Sequence, residues 1–358
     1  MNMVSEWFRR TFSDAQVVLL IAVLVGLVVL VSIFGNMLAP AIGALVIAFL
    51  LDGPIDWLVR RGARPMLAFL SVFIGFILIS LTVLLAVIPP LVGQIVQFIN
   101  DTPAMVGSVQ KALLSMQDRF PELISEDQVR TAFANLGNEI ANIGPQILQY
   151  FSAGVTSAIT TAVYTVLVPV MVFFFLKDKK QILDWIARFL PQDRSLLDQV
   201  GREVVERAGD YARGKVYEIL IVGIVSFIVY QIIDIRYATL LAVATGLSVV
   251  IPYFGAAVVT LPVALVAYFQ WGTTGPMLGA VVAYLIIQAL DGNLLAPLLF
   301  SEVVKLHPNA IILAILIFGG LWGLWGVFFA IPLATVANAV IRAWQERTAA
   351  MGTASVDG

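Results

Sequence analysis

A long uncharged stretch towards the end of the chain limits its fold more than any other feature. Residues 310–329 carry no charge, and a helix of that length covers the roughly 30 Å hydrocarbon core of a bilayer. Residues 277–289 are also almost wholly apolar. The polar residues and prolines between these runs, in 288–308, predict a broken backbone at membrane depth, where peptide groups need partners in protein or water. We expect function near this break.

Composition extends this reading to the whole chain. Hydrophobic residues make up 60% of the 358 residues and charged residues only 12%, whereas about a quarter of a soluble protein is charged. The mean hydropathy is +0.95. We predict an all-α polytopic membrane protein with about eight hydrophobic segments, at 17–34, 37–51, 66–88, 153–176, 219–233, 237–269, 277–289 and 310–329.

The sixth segment is too long for one ordinary span. It contains Pro252, Gly255 and Pro262, which predict either one long kinked helix or a helical hairpin that re-enters the membrane. Tyr253 lies with Pro252 at the expected kink or hairpin tip. These residues are candidates for a hinge, and direct contact with a substrate is the weaker interpretation.

The chain divides into six expected parts. The second, residues 91–150, is polar enough to leave the membrane, yet apolar residues recur there at heptad spacing, which indicates an amphipathic helix. The parts are spanning helices in 1–90, this extracytoplasmic arm in 91–150, a fourth span in 151–178, a charged cytoplasmic amphipathic segment in 179–215, a transmembrane bundle in 216–345 and a disordered cytoplasmic tail in 346–358.

Lysine and arginine placement predicts the orientation. With a cytoplasmic N-terminus and eight crossings, sixteen of the twenty-one basic residues lie inside, nine of them between Lys177 and Lys215. Positive charge concentrates in cytoplasmic loops of membrane proteins. Both termini are therefore expected in the cytoplasm.

Several function classes lack their residues. The net charge of −2 and the absence of a basic stripe argue against a nucleic-acid partner. One histidine and no cysteine leave no metal site of the His or Cys type. No metalloprotease, serine-hydrolase, Walker or dinucleotide-binding motif occurs. We expect neither an enzyme nor a bound cofactor.

Asp291 is the acidic residue nearest the middle of an apolar region. A central Asp costs about 2.5–3.5 kcal/mol on insertion scales, and carboxylates in transporters commonly bind protons or cations. The alternative is that Gly292 opens the helix and Asp291 caps local backbone groups. The candidates for substrate or ion contact are Asp291, Asn293 and Gln288, followed by Asp52 and Glu218, which lie close to apparent membrane boundaries; Glu218 can also pair with Lys215, three residues away on a helix.

A second set of candidates is structural. His307 and Pro308 begin a helix, because proline is natural in a first turn. Gly319, Gly323 and Gly326 share a narrow arc of one predicted helix and would let another helix approach closely. Gly292, Pro297 and Pro332 complete the hinge candidates.

The same motifs carry a family resemblance. Asp-Gly-Asn at 291–293, Pro297, His307-Pro308, Gly319-Gly320, Gly323, Gly326 and Pro332 match the signature of the AI-2E (autoinducer-2 exporter) family, with FFFLKDKK at 173–180 and IPYFG at 251–255. The chain resembles this family over nearly its whole length. It departs from the family at Gly255-Ala256, where Gly-Pro is frequent, and at Asp291, where Glu is common.

The resemblance implies a secondary transporter of the bacterial cytoplasmic membrane that exports a small polar solute of the autoinducer-2 type. It also implies homo-oligomeric assembly, with a pentamer as one form. A sodium- or lithium-proton antiporter that uses Asp291 is the second hypothesis. The third is a membrane scaffold that does not transport and works through residues 91–150 and 181–215.

Overall fold

The structure is a computed structural model that describes residues 15–117, 131, 158–191, 194–252, 254–300 and 307–338. These residues form helices and turns, and no strand occurs among them. The prediction of an all-α fold is confirmed.

Eleven labelled helices follow one another along the described chain. They are α1 Ala15–Arg60, α2 Pro65–Thr82, α3 Ile88–Gln117, α4 Ala158–Lys177, α5 Lys179–Ala187, α6 Ser195–Ile232, α7 Ala238–Ser248, α8 Phe254–Trp271, α9 Gly275–Leu290, α10 Ala296–Phe300 and α11 Pro308–Phe328. A short helix at 330–338 follows. Two π-helical turns, Val83–Val87 and Asp291–Leu295, join α2 to α3 and α9 to α10 without a break.

Five helices of the described chain are long and apolar enough to cross a membrane, and three shorter ones are apolar. The chain is therefore a multi-pass membrane protein, as predicted. The five are Met37–Arg60, Pro65–Ala112, Gly209–Ile232, Phe254–Trp271 and Gly275–Phe300, and the three are Val163–Lys177, Ala238–Ser248 and Asn309–Gly323.

These eight helices divide the chain differently from the eight predicted segments. The first two predicted segments, 17–34 and 37–51, lie in the single helix α1. The sixth, 237–269, forms two helices that pack against each other, α7 and α8. Of the two alternatives for this segment, the structure has the helical hairpin. Since α7 has eleven residues and rises about 16 Å, it is too short to cross alone.

The continuity of α1 corrects one step of the topology argument. Its 46 residues extend about 70 Å, more than twice the thickness of a hydrocarbon core. The expected turn between two crossings at residues 35–36 does not occur, because the helix continues through these residues and through Pro40. Two crossings therefore no longer place the N-terminus on the same side as Arg60 and Arg61.

The described helices belong to two compact units. The first unit consists of residues 1–74, 166–215 and 300–358. Three phenylalanines link α2 to α4 within it: Phe173 lies with its ring centroid 5.4 Å from those of both Phe69 and Phe73. Arg213 of α6 lies over the ring of Phe49 at 5.1 Å, which fixes α6 against α1.

The second unit consists of residues 75–165 and 216–299 and contains the largest buried core. The core is built by α3, α6, α7, α8 and α9. Its fully buried members include Met105, Tyr230, Leu241, Val263, Val266 and Tyr284. The small residues Ala267 and Ala280 are also fully or almost fully buried, so the helices approach closely.

Polar contacts fix the start of α7 in the second unit. Tyr237 has a left-handed backbone (φ 58°), and its hydroxyl donates a hydrogen bond to the Asp101 carboxylate of α3. The Gln94 side chain accepts a hydrogen bond from the Leu240 backbone N–H at 2.9 Å and donates one to Thr239 Oγ1 at 3.3 Å. Gln94 thus satisfies a peptide group that the first turn of a helix leaves unpaired.

Helix α11 bends sharply at Gly323, whose backbone angles are φ 59° and ψ −136°. The chain then folds back, so that a Cβ at Gly326 would lie 1.8 Å from the Phe318 carbonyl oxygen and one at Gly319 would lie 2.8 Å from Val327. The prediction of one continuous glycine face is wrong, because these glycines lie on two limbs of a turn. Gly323 itself has open space around it, so its backbone conformation, and not close packing, favours glycine there.

Three predictions fall on residues outside the described ranges. They concern most of the arm at 91–150, of which α3 covers the first part, Tyr253, and the tail at 346–358.

Candidate functional site

Helix α6 carries a line of buried polar side chains through the second unit. Glu218 is 3% exposed, and Ser226 and Tyr230 are fully buried. The spacing of four and eight residues places all three on one helix face, together with the buried Val222. The Ser226 hydroxyl has no hydrogen-bond partner within the described residues.

Helix α7 meets this face through two glycines. A Cβ at Gly246 would lie 2.9 Å from both the Gly223 Cα and the Ile219 carbonyl oxygen, so the two backbones are in contact. The Tyr230 hydroxyl reaches Thr245 Oγ1 at 3.1 Å. The close approach therefore brings hydroxyl groups of both helices into the core.

Helix α9 contributes a second polar line. The Tyr284 hydroxyl donates a hydrogen bond to the Ala256 carbonyl of α8, and the side chains of Thr260 and Gln288 flank it. One turn further on, Asp291 has a buried Oδ1. The spacing of Tyr284, Gln288 and Asp291 puts them on one side of α9 and its π turn.

An apolar contact brings the two polar lines together. Val222 of α6, Val249 and Ile287 of α9 form one buried cluster, and Ile219 and Leu295 pack against it. Asp291 lies one turn from Ile287 and one from Leu295, and Glu218 precedes Ile219. Glu218 and Asp291 each lie four residues, about one helical turn, from a member of this cluster.

The π turn at Asp291–Leu295 takes the place of the predicted break. Pro297 lacks an N–H and its ring crowds the preceding turn of the helix. The wider π turn makes room for this ring. A second π turn, Val83–Val87, lies ahead of Pro89 in the same way. Asn293 is exposed and its side-chain amide donates to the Ala289 carbonyl at 2.8 Å. The helix therefore continues from Gly275 to Phe300, and π turns of this kind are frequent at functional sites.

The other sequence candidates do not join this group. Asp52 lies in the first unit, where it pairs with Lys179 at 2.6 Å. His307 is exposed, and its Nδ1 accepts a hydrogen bond from the Asn309 N–H at 3.2 Å, so it caps α11 as the structural reading expects. Gly292 and Pro297 are exposed on the π turn and α10, and the buried Pro332 lies in the helix at 330–338.

The hinge candidates of the hairpin have clear places. Pro252 lies in the turn between α7 and α8, where its carbonyl accepts a hydrogen bond from the Phe254 N–H. A Cβ at Gly255 would lie 1.8 Å from the Ser248 carbonyl oxygen, so only glycine fits there. Pro262 lies inside α8.

Four members of the buried polar lines were not predicted from the sequence: Ser226, Tyr230, Thr245 and Tyr284. Each is a hydroxyl-bearing residue within an apolar run, and none is charged. Ser226 and Tyr230 follow Glu218 by eight and twelve residues and Tyr284 precedes Asp291 by seven, and these helical spacings were the available signal; Thr245, on a different helix, had none. The sequence placed Glu218 close to an apparent membrane boundary, whereas it lies buried within the candidate span Gly209–Ile232.

Comparison with known proteins assigns the family. A sequence model described as AI-2E family transporter matches residues 17–346. The chain belongs to this family. It is 42% identical to "Putative permease PerM" of Escherichia coli K12 over 97% of this chain and 98% of that protein. It is 26% identical to "Putative transport protein YueF" of Bacillus subtilis over 82% of this chain and 80% of that protein.

Family membership suggests what the buried polar side chains could be for. The relatives are named as permeases or transport proteins, so the chain is a membrane protein of a transporter family. Within such a protein, buried carboxyl groups in apolar helices are candidates for contact with a solute or ion.

Proposed function

We propose that this protein is a secondary transporter that moves a small polar solute across the bacterial cytoplasmic membrane. The observation that carries the proposal is the burial of Glu218 on α6 and of Asp291 Oδ1 on the π turn, each about one helical turn from the apolar cluster that Val222 and Ile287 share. Burying a carboxyl group in apolar surroundings is expensive unless it is hydrogen-bonded, paired, protonated or bound to a ligand, and such groups in transporters commonly bind solutes, protons or cations.

The buried hydroxyl groups further along the same face of α6, and on α7 beside it, suit a polar solute. Ser226, Tyr230 and Thr245 offer donors and acceptors but no net charge. A hydroxylated solute exchanges its hydration shell for such groups at a small energetic cost. The resemblance to the AI-2E family suggests export of a molecule of the autoinducer-2 type.

The two carboxyl groups also favour a second candidate, exchange of sodium or lithium for protons. A buried carboxylate that binds a cation in one state and a proton in the other couples the two movements. In this alternative Asp291 is the exchanging group. A scaffold that works only through its arms remains the third proposal, and it predicts no flux at all.

Assembly and location complete the proposal. Large apolar side chains such as Met37 (78% exposed) and Leu261 (73%) lie on the surface of the chain, where lipid or further copies of the chain would cover them. We propose a homo-oligomer, with a pentamer as one form, in the cytoplasmic membrane, with residues 179–215 in the cytoplasm.

Flux into proteoliposomes tests these proposals. The purified chain is reconstituted with and without a pH gradient, and uptake of a labelled hydroxylated solute is compared with uptake of sodium and lithium. We expect solute flux above that of protein-free vesicles. Cation flux that collapses the pH gradient, without solute flux, would favour the antiporter. Vesicles that move neither would favour the scaffold.

A further inference from the structure

Helix α5 has an apolar face that its own unit leaves uncovered. It begins directly after α4, with only Asp178 between them. Leu183 is 56% exposed, Trp185 59% and, just beyond the helix, Phe189 71%. The Trp185 and Phe189 rings contact each other edge-to-face with centroids 4.8 Å apart, so the face ends in an aromatic pair.

The opposite face of α5 is polar and carries a net positive charge. At 100° per residue, Leu183, Trp185, Ile186 and Phe189 lie within one half of the helix circumference, and Lys180, Gln181, Asp184 and Arg188 lie within the other. Residues 177–188 contain four basic and two acidic side chains. A helix with aromatic and aliphatic residues on one side and basic residues on the other is typical of helices that lie in a bilayer interface.

Two contacts hold α5 at the end of the apolar helix α4. Lys179 pairs with Asp52 of α1 at 2.6 Å, and the Arg194 guanidinium donates a hydrogen bond to the Ala187 carbonyl at 2.8 Å, at the last turn of α5. The first contact ties the start of the helix to α1, and the second joins the Leu190 N–H as a donor to the Ala187 carbonyl. The position of α5 is therefore fixed where α4 leaves the bilayer.

We propose that α5 lies in the headgroup region and binds the anionic lipids of the leaflet at which α4 ends. Leu183, Trp185, Ile186 and Phe189 enter the acyl boundary, as tryptophan and other aromatic residues do at membrane interfaces. Lys180 and Arg188 contact lipid phosphates, since anionic leaflets attract basic side chains near their surface. Charge complementarity and continuity with α4 favour lipid over a second protein surface.

The chain contains no cysteine, which makes a site-specific fluorescent probe simple to introduce. Leu183→Cys carries an environment-sensitive NBD label on the apolar face, and Gln181→Cys carries the same label on the polar face of the same turn. Each labelled full-length protein is reconstituted into vesicles of phosphatidylcholine, alone or mixed with phosphatidylglycerol. Brominated acyl chains and aqueous iodide then act as quenchers from the lipid and water sides.

The proposal predicts that brominated lipid quenches the label at position 183 and that iodide quenches the label at position 181. Lipid quenching at 183 should increase with the phosphatidylglycerol fraction and lose that dependence in the Lys180→Gln/Arg188→Gln double variant. A label at 183 that iodide reaches as readily as the label at 181 would overturn the proposal. So would a blue-shifted label that neither quencher reaches, because another segment or a second copy would then cover the face, and so would quenching that ignores lipid charge.

Discussion

At the residue scale, Asp291 is the most direct test of mechanism. Its carboxyl group lies on the π turn with one oxygen buried, so we expect Asp291→Asn to reduce solute flux at least about tenfold or to uncouple it from the pH gradient. The amide has nearly the same shape but neither binds a proton nor carries charge. Proteoliposome flux, with and without a pH gradient, measures both effects.

Asp198→Asn is the matched control for Asp291→Asn. The Asp198 side chain is 47% exposed and pairs with Arg194, the residue before α6, and exposed pairs at this spacing contribute about 0.3–0.5 kcal/mol. Flux should stay close to that of the unchanged protein. If both variants transport with unaltered pH dependence, Asp291 has only a structural role.

The contact between Gly223 and Gly246 predicts that a larger side chain at position 246 lowers the stability of the protein. A methyl group on Gly246 would lie 2.9 Å from backbone atoms of α6, which cannot rotate away. Overpacking of this kind typically costs about 1–3 kcal/mol, more than the roughly 1 kcal/mol that helix propensity returns for Gly to Ala. We expect Gly246→Ala to lower the melting temperature in detergent.

Gly279→Ala serves as the comparison in the same unit. A Cβ there meets nothing within 4 Å, and α9 is helical around it, so the variant should melt at the same temperature or slightly higher. Equal melting temperatures for the Gly246 and Gly279 variants would show that α6 and α7 are further apart than the structure places them.

At the element scale, the bend of α11 allows the backbone conformation of Gly323 to be tested separately from its packing. Gly323 has φ 59° and ψ −136°, a region that residues with a Cβ avoid at a cost of about 1–3 kcal/mol. Gly323→Ala should therefore destabilise the protein in a detergent melt, although nothing lies within 4 Å of the added methyl. Gly320→Ala, three residues earlier in open space, should have little effect. Equal melting temperatures for the two variants would show that the bend at Gly323 does not require a glycine.

The elements show which features the sequence could predict. Apolar run length predicted the helices well, because each spanning helix must satisfy its own peptide groups. It did not predict that α1 continues through residues 35–36, since Gly35 and Asn36 resemble a turn and only packing decides. Nor could glycine spacing reveal the bend at Gly323, because a periodic pattern assumes the regular helix that the bend interrupts.

The site was partly predictable for a related reason. Asp291 and Gln288 were recognised because a polar residue in an apolar run is conspicuous. Thr245 and Tyr230 were not, since a hydroxyl group can bond to its own helix: Thr245 Oγ1 does so with the Leu241 carbonyl at 2.7 Å. Their meeting depends on the contact between Gly223 and Gly246, which joins positions twenty-three residues apart.

At the scale of the whole molecule, much apolar surface stays exposed on the chain alone. Within the five candidate spans, at most 28% of the most apolar stretch is buried. A soluble protein of this kind would aggregate, whereas a membrane protein places this surface against acyl chains. The buried polar lines are the exception to this distribution, which is why the proposed function is built on them.

Membrane topology is the prediction that belongs to this scale. Residues 100–145 are expected outside and residues 181–210 inside, because α4 crosses once between them and nine basic residues lie between Lys177 and Lys215. Lys111→Cys and Glu206→Cys place single thiols on exposed positions of α3 and α6. An impermeant maleimide should label position 111 in intact cells and position 206 only after permeabilisation. This expectation does not depend on how often α1 crosses, since both positions follow α1 in the chain. Labelling of both thiols from one side would mean that α4 does not span the membrane. The proposed position of α5 at the end of a spanning helix would then be wrong as well.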